Sequence, residues 1–564
     1  MTLAKLIRLF TLQNAALHNG VAQADSVLSR ILGENPELKP KAKELMVKIA
    51  PVVIEINTLG ADECVRILAS EAPDLLEKKE GAKKDVLKPL PNVSGPVRMR
   101  AAPSPSGPLH IGHAFTIIPN AEYVKMYGGA FILRLEDTNQ DNVMPEAYKM
   151  IEDDTRWLSQ NNLNEVFIQS ERMELYYQTA LALLEEHHAY VCTCEGEAWK
   201  NLIEEGSPCP CRDKSAKSNI EDWHKMHTGE YPEGAAVVRL KTDVAHKNPA
   251  MRDFAILRIN ETEHPRQGNK YRVWPLMNFS VAADDYSMGL THVLRGKDHF
   301  DNTRRQKYIF DYLGWKTPEY IHYGRIQFDG LRLSTTETKA AITAGTYDGW
   351  NDVRLPTIGA LRRRGFQAEA FRRFVIGMGI SLTDKHVDVK EFFKSLEYHN
   401  RQLIEADANR YFLVIDPKEV TVLDAPAVYA EFDLHPEHRK GGRKLSAEGT
   451  FLLQAEDLAA LPTGQVYRLM EGLNFTSEAH AYRFHSSDVA TYRKLGGRIM
   501  HWLPASPENL DVEVLMNDGT VQKGKGERHL ASIKPGQIVQ FERHYFARFE
   551  GKQGNVYIFV YTHK

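Results

Sequence analysis

The chain has 564 residues, 43% hydrophobic and 26% charged, a balance that fits a soluble protein of about three or four domains with a sizeable core. Lys and Arg number 71 against 74 Asp and Glu, a net charge of −3, so nothing here signals a protein that holds nucleic acid by overall positive charge. Any RNA recognition would need its cations gathered on one face. No stretch reaches the ~18 uninterrupted apolar residues of a membrane span, and no membrane attachment is expected. Of the five cysteines, Cys64 stands alone and is read as a buried core thiol; the other four lie close together, as in a cytoplasmic protein with a metal-holding cluster.

From the N-terminus, MTLAKLIRLFTLQNAAL is interrupted by Lys5, Arg8, Gln13 and Asn14, so an amphipathic helix is expected there and not a signal-peptide core. Leu3, Leu6, Ile7 and Phe10 share one helical face, and Leu45, Ile49, Val52 and Ile56 suggest another. Pro51 inside that second run requires the helix to bend or restart. EKKEGAKKDVLKPLPNVSGP (77–96) is Lys-rich, broken by Gly and Pro, and a linker by composition. Residues 1–95 thus read as a helical region with its linker.

From Val97 the texture changes. VRMRAAP (97–103) reads as a strand leading through a turn into a helix near His110, and FILRLED (131–137) as a second strand. That order implies a parallel α/β sheet. Residues 96–190 and 271–345 are read as two halves of this sheet domain, split by an insertion over 191–270 that carries the cysteine pairs. Residues 346–410, with LRRRG, FRRFVIGMGI and VKEFFKSL, look helical. From Tyr411 to residue 564, YFLVID, EVTVLD, DVEVLM, QIVQFE and VYIFVY alternate with turn residues, which predicts an all-β module of one or two barrels.

The strongest chemical signal is Pro103-Ser104-Pro105-Ser106-Gly107-Pro108-Leu109-His110-Ile111-Gly112-His113, which follows the first strand and opens the helix. Helix N-termini offer unpaired N–H groups and partial positive charge to phosphates. Gly107 and Gly112 let backbone approach a ligand closely, and His110 and His113, on one helix face, can donate to a phosphate as charge builds. Two histidines alone would be ordinary helix-start residues; the full string points to a nucleotide. Cys192-Thr-Cys194 and Cys209-Pro-Cys211 are separated by fourteen residues and suit tetrahedral zinc in a structural role, with metal-free buried thiol pairs as the alternative. HRKGGRK (438–444), TYRKLGGR (491–498) and FERHYFARF (541–549) mix cations with Gly or aromatics, which suits stacking on splayed-out RNA bases; each alone also fits a solvated loop.

RAAPSPSGPLHIGHA (100–114) resembles the HIGH motif of class I aminoacyl-tRNA synthetases, in the form of their glutamyl and glutaminyl branch. The resemblance continues in RLEDTN (134–139), NFSVAADD (278–285), GLTHVLRGKDH (289–299) and DVRLPTIGALRRRG (352–365), in the family's order. The helical N-terminal extension and β-rich C-terminus look like the archaeal type of glutamyl-tRNA synthetase. The resemblance implies a multidomain α/β protein. Its Rossmann-like catalytic domain is split by an inserted acceptor-binding domain, between an N-terminal helical domain and a C-terminal β-barrel anticodon-binding module. It implies ligation of L-glutamate to tRNA(Glu) through a glutamyl-adenylate by a cytoplasmic monomer, with ATP and Mg2+ as nucleotide substrate. Structural Zn2+ would brace the insertion against the tRNA acceptor end. Glutaminyl-tRNA synthetase and a catalytically weak tRNA-binding relative are the alternatives, and glutamylation of tRNA(Gln) stays open.

By position, the resemblance implies that Arg100, Ala102, Ser104 and Glu136 face the amino acid. Glu136 would hold the α-ammonium, and Arg100 and Arg295 would each pair with a carboxylate by a two-pronged contact. From spacing alone, Glu136 and Arg134 read as a surface ion pair. Asn278 and Asp284 fall in the matching pocket-wall segment. Pro103, Gly107, His110, Gly112 and His113 fall on the ATP side, with His110, Gly112 and His113 in catalytic positions. The family's second ATP motif, KMSKS, falls on Arg332-Leu333-Ser334-Thr335-Thr336, which carries Leu333 and Ser334 over as ATP contacts and Arg332 and Ser334 as catalytic. Thr335 stands where the second lysine would meet the pyrophosphate; Arg332 is left to cover part of that role, with Lys339 one turn on. The glutaminyl branch has an acidic residue at the position of Ser104 and Asp at that of Glu136. Without that extra charge to repel a second carboxylate, glutamate is favoured.

Overall fold

The structure, a computed structural model, describes residues 3–18, 20–34, 40–72, 75, 87–459, 461–478 and 481–564. They fall into two compact units, Met1–Lys84 and Asp85–Lys564. In the first, the helices Leu3–Leu17, Ala24–Glu34, Ala42–Ile56 and Ala61–Glu71 each bury an apolar stripe. Ile7, Phe10, Ile31, Leu45 and Ile49 form one cluster, and Leu9, Leu12, Ile56, Cys64 and Leu68 another. Cys64 is fully buried, as a core thiol should be. The helix Ala42–Ile56 runs through Pro51 as one element, so of the bend or restart expected there the restart does not occur. Pro51 lies on the exposed side, where water can satisfy the carbonyl that loses its N–H partner. The first half of the anticipated linker, 77–86, lies outside the described residues.

The second unit is organised on a parallel sheet. The strands Val97–Ala101, Gly129–Leu135 and Glu165–Ile168 pair side by side in chain order, all parallel. A second parallel pair, His292–Gly296 with Glu319–Tyr323, abuts the other edge of the first strand, where the Thr291 N–H donates to the Arg98 carbonyl at 3.0 Å. The order 3-2-1-4-5 is that of a doubly wound nucleotide-binding sheet, whose direction of growth switches between the first and fourth strands. Phe131, Ile132 and Leu133 are all fully buried, the continuous apolar run expected of a strand covered on both faces. The helix Ala114–Tyr127 joins the first two strands and is buried along most of its length.

Between the third and fourth strands the chain leaves for the helix Met173–Glu185 and an antiparallel sheet. Its strands Ala189–Cys192, Val237–Leu240, Ala255–Ile259 and Val273–Pro275 pair in chain order around Trp223, Met226, Trp274 and Phe279. After the parallel sheet, the helices Ile358–Arg363, Ala368–Met378 and Val389–Ile404 add Leu361, Phe371 and Leu396 to its core. Among the described residues no helix is long and apolar enough to cross a membrane.

The C-terminal region holds two seven-stranded sheets. The first begins its order with Asn409–Tyr411 and ends with Leu413–Ile415, strands separated in the chain by Phe412 alone. The second begins with Ile499–Met500 and ends with Leu503–Pro504, with only His501 and Trp502 between them. One continuous segment thus supplies both edges of each sheet, so each curls into a near-barrel. Of the one or two barrels the strand pattern predicts, there are two. The joints touch: His501 Nε2 lies 2.7 Å from the Leu413 carbonyl, and Phe412 packs in the core that holds Trp502. Trp502 is fully buried. Replacing it with Ala should cost about 3–5 kcal/mol by cavity formation and lost transfer energy, read as an earlier C-terminal transition in urea melts. A melt unchanged within about 0.5 kcal/mol would show that this joint does not hold the barrel.

Candidate active site

A cavity of about 240 Å³ opens at the carboxyl ends of the first and fourth strands of the parallel sheet, at the switch in strand order. Its wall includes Arg100, Ala102 and Pro103 from the first strand end, His113 from the helix start, Glu136 from the second strand end and Arg295 from the fourth. These segments are far apart in sequence; the parallel topology delivers them to one rim.

Below the cavity lies a buried ion network. Arg134 is fully buried and donates to Asp285 Oδ1 at 2.6 Å and to Glu136 Oε1 at 2.9 Å, with Asp284 Oδ2 at 3.7 Å. It is therefore no surface pair: residue 134 points into the interior, where its charge is tenable only among carboxylates. Burial opposes the charge on Arg134, but Asp285, Glu136 and Asp284 outweigh it and hold the guanidinium above its ordinary value. Arg100 Nε lies 3.5 Å from the same Asp285 Oδ1. Burial would raise the Asp285 carboxyl, yet Arg100 and Arg134 hold it below the usual range. In Glu136 burial prevails, pushing its carboxyl upward against the pull of Arg134 and Arg100. Arg295 donates through Nη2 to Thr303 Oγ1 (2.6 Å) and Gln306 Oε1 (2.9 Å), and its guanidinium sits 4.8 Å from the Tyr320 ring centre. Burial, joined by the charge of Arg100, lowers it to about 10.

Three residues anticipated near the amino acid stand off this wall. Asp284 is tied to Arg172 (2.7 Å), Tyr176 (2.8 Å) and Gln169 (2.9 Å), fastening its helix, Met277–Ser287, to neighbouring elements. Asn278 is buried against Gln306 and Asn302. Ser104 is exposed on the turn beyond Pro103. Conversely, Asp285, adjacent to Asp284 in the string NFSVAADD, joins Arg100 to Arg134, and Gln306 supports Arg295; sequence reasoning singled out neither.

The turn and helix start are tightly specified. The His110 backbone N–H donates to His113 Nδ1 at 3.1 Å, and the Gly112 N–H donates to His110 Nδ1 at 3.1 Å. With Nδ1 accepting in both rings, each neutral imidazole carries its proton on Nε2, as a donor. A Cβ at Gly112 would lie 2.9 Å from His110 Cε1, so only glycine leaves room for the ring. The Ile111 N–H donates to the Pro356 carbonyl (3.1 Å) and the Ile358 N–H to the Leu109 carbonyl (2.9 Å), which fastens the DVRLPTIG segment to this turn. The 332–336 loop lies against it as well: a Cβ on Gly107 would collide with the Thr335 side chain, and Leu333 approaches Gly112. The close approach at Gly107 is therefore made by Thr335, the residue that stands at the position of the motif's second lysine. Ser334 caps the helix Thr335–Thr343 by accepting from the Glu337 N–H (3.3 Å), while the exposed Arg332 pairs with Glu337 at 3.1 Å.

The four clustered cysteines are free thiols whose sulfurs all lie within 4.8 Å of one another, with Cys192–Cys209 at 3.8 Å and Cys194–Cys211 at 3.7 Å. A tetrahedron with zinc–sulfur bonds of about 2.3 Å has edges of about 3.8 Å, so the donor set fits one zinc ion. In the barrels, Arg443 of HRKGGRK is fully buried between Glu527 (2.7 Å) and Glu542 (2.6 Å). Phe541, Tyr545, Phe546 and Phe549 are core residues, which leaves the half-buried His544 as the one ring of FERHYFARF outside the core; Lys444, Arg493 and Lys494 are exposed.

Burial lowers His110 from 6.5 to about 4 and, helped by its neighbour's charge, His113 to about 3, so both are neutral near pH 7. The unfolded chain binds these protons more readily, so this contribution to stability is complete above pH 6.5 and is lost as pH falls toward 4 and 3. Between about pH 7.5 and 5, the double variant His110→Gln/His113→Gln should lose less thermal midpoint than the wild type; equal losses would contradict buried, neutral rings.

A family model described as "tRNA synthetases class I (E and Q), catalytic domain" matches residues 96–406. Two models described as "tRNA synthetases class I (E and Q), anti-codon binding domain" match residues 408–491 and 488–550. A protein of Methanopyrus kandleri named glutamate–tRNA ligase is 43% identical over 576 residues, covering 100% of this chain and 99% of its own length. One of the same name from Methanocaldococcus jannaschii is 44% identical, covering 98% of each chain, and one from Methanobrevibacter smithii is 42% identical, covering 100% of each. With a doubly wound sheet, a HIGH-type turn at its switch point and two near-barrels behind it, the chain belongs to the class I tRNA synthetases of the E and Q branch, with that family's catalytic and anticodon-binding domains.

Proposed function

We infer that this chain activates L-glutamate with ATP and transfers it to tRNA(Glu). The observation that carries the reading is the charge pattern of the cavity: guanidiniums of Arg100 and Arg295 and a carboxylate of Glu136 border one space. That is the complement of two carboxylates and one ammonium. Glutamine would set a neutral amide against one of the cations. The name shared by the full-length relatives supports the same choice.

In the first step an oxygen of the substrate α-carboxylate attacks the α-phosphorus of ATP and pyrophosphate leaves. Glu136 holds the α-ammonium and the arginines fix the carboxylates, so the attacking oxygen is aimed without a covalent enzyme intermediate. The Nε2–H groups of His110 and His113 donate to phosphate oxygens as charge accumulates. ATP enters as its magnesium complex, which neutralises part of the phosphate charge. Arg332 contributes positive charge toward the leaving pyrophosphate, with Leu333 and Ser334 lining the nucleotide side. In the second step a hydroxyl of the terminal tRNA ribose attacks the adenylate carbonyl and AMP leaves. The region 191–270 serves the acceptor end and the module from residue 411 the anticodon, using exposed cations such as Lys444, Arg493 and Lys494. Cys192, Cys194, Cys209 and Cys211 would hold a zinc ion that rigidly links a strand end to the following turn. Every group invoked belongs to one chain, so a monomer suffices.

Glutamate should support ATP–pyrophosphate exchange in the presence of tRNA(Glu) while glutamine does not; a preference for glutamine would overturn the assignment. His110→Ala and His113→Ala should each slow exchange by about 10²-fold while leaving tRNA affinity nearly intact, and unchanged rates in both would remove this helix start from the reaction.

Elemental analysis should find one zinc per chain, and Cys209→Ser should impair tRNA charging more than ATP binding. Metal-supplemented protein without zinc, with all four cluster thiols titratable, would reject the site.

A further inference from the structure

We propose that Gln306 is a positioning residue that sets the preference for a second carboxylate over an amide, by holding Arg295 in place with an uncharged acceptor. This deepens the glutamate reading and rests on it.

The arginines around the site differ in how their charge is met. Arg134 shares Asp285, Asp284 and Glu136, and Arg100 has Asp285. Arg295 is buried yet forms no ion pair with a carboxylate among the described residues, and its Nε has no hydrogen-bond partner there. Its direct contacts are the hydrogen bonds to Thr303 and Gln306 and the Tyr320 ring, with Asp285 and Glu136 acting on it only at longer range. Thr303 and Gln306 lie three residues apart on the helix Phe300–Tyr312, so one face presents two neutral oxygens to the same Nη2. The orientation of the Gln306 amide is fixed from behind. Its Nε2 donates to Asn278 Oδ1 (3.3 Å), and Asn278 Nδ2 donates to Asn302 Oδ1 (3.2 Å). Asn302 Nδ2 in turn lies 3.0 Å from Nδ1 of His299, another wall residue. Gln306 Oε1 is thereby committed to Arg295. The guanidinium is immobilised, but its positive charge is left for the ligand. A carboxylate at 306 would keep the hydrogen bond and cancel the charge.

The test compares Gln306→Glu with Gln306→Met in tRNA-dependent exchange, reading KM and kcat for glutamate, glutamine and ATP. Gln306→Glu should raise KM for glutamate about tenfold or more and shrink the glutamate-over-glutamine ratio by a similar factor, with KM for ATP within about twofold of wild type. Gln306→Met removes the acceptor but adds no charge, and should harm glutamate less. A merely structural role demands the opposite order, because Glu keeps the shape and the hydrogen bond and Met does not. That opposite order, or an unchanged KM in Gln306→Glu, overturns the proposal. Should Gln306→Glu fail to fold, Thr303→Asp against Thr303→Val makes the same comparison on the neighbouring oxygen, with the same order expected. A wild type that prefers glutamine overturns the parent reading, and this proposal with it; with a wild type that activates glutamate, the order of the two variants decides the role of Gln306 alone.

Discussion

The Arg100 and Glu136 side of the cavity depends on the charge of Arg134 being met in the interior. A guanidinium with no solvent access is tenable only if carboxylates surround it, and Asp285, Asp284 and Glu136 come from a helix and a strand end that must converge to supply them. That convergence fixes the helix Met277–Ser287 against the sheet and the orientation of Glu136, and it places Asp285 where Arg100 can share it. Arg100 and Glu136 on the cavity wall are thus held by the buried charges of Asp285 and Arg134 beneath it, while Arg295 rests on the neutral Thr303 and Gln306.

The helix start at His110 uses a different device. His110 and His113 are kept uncharged by burial and oriented by accepting backbone N–H groups, so they offer donors without adding fixed cations beside the helix start. The absence of lysine at position 335 fits a local packing fact: the Thr335 side chain fills the space over Gly107, bringing the second loop onto the first through van der Waals contact. Ionic contact in that loop is confined to its exposed rim, where Arg332 meets Glu337.

How much of this was legible in the sequence varied with the kind of interaction. The run Phe131–Leu133 and the string from Pro103 to His113 announced a buried strand and a strand–turn–helix because local spacing determines both. That the four cysteines gather in one place was legible because two close pairs within one insertion suit a shared cluster. Neighbouring Asp284 and Asp285 were not separable: one step along a helix turns a side chain by about 100°, so which of them meets Arg100 is decided by how the helix docks. Gln306 was invisible, being one neutral polar residue on a helix whose role comes entirely from what lies across from it. In FERHYFARF the mix of cations and aromatics did not show which side chains turn inward: Phe541, Tyr545, Phe546 and Phe549 are buried by the sheet they build, while Arg543 is exposed.

The two barrels are each closed through a short stretch of covalent chain whose halves pair at opposite sheet edges. In a hoop of this kind the joint itself is covalent, the remaining seams are ordinary strand ladders, and little bare edge is offered to a stray strand from another molecule. The same closure has a temporal side. Asn409–Tyr411 pairs with Ile538–Phe541, and Leu413–Ile415 with Val521–Gly526, so both flanks of Phe412 wait for strands far downstream in the chain. On a ribosome building from the N-terminus, the first hoop stays open until the strands beyond residue 520 have emerged, so its closure is a long-range contact that forms late relative to the segment around Phe412.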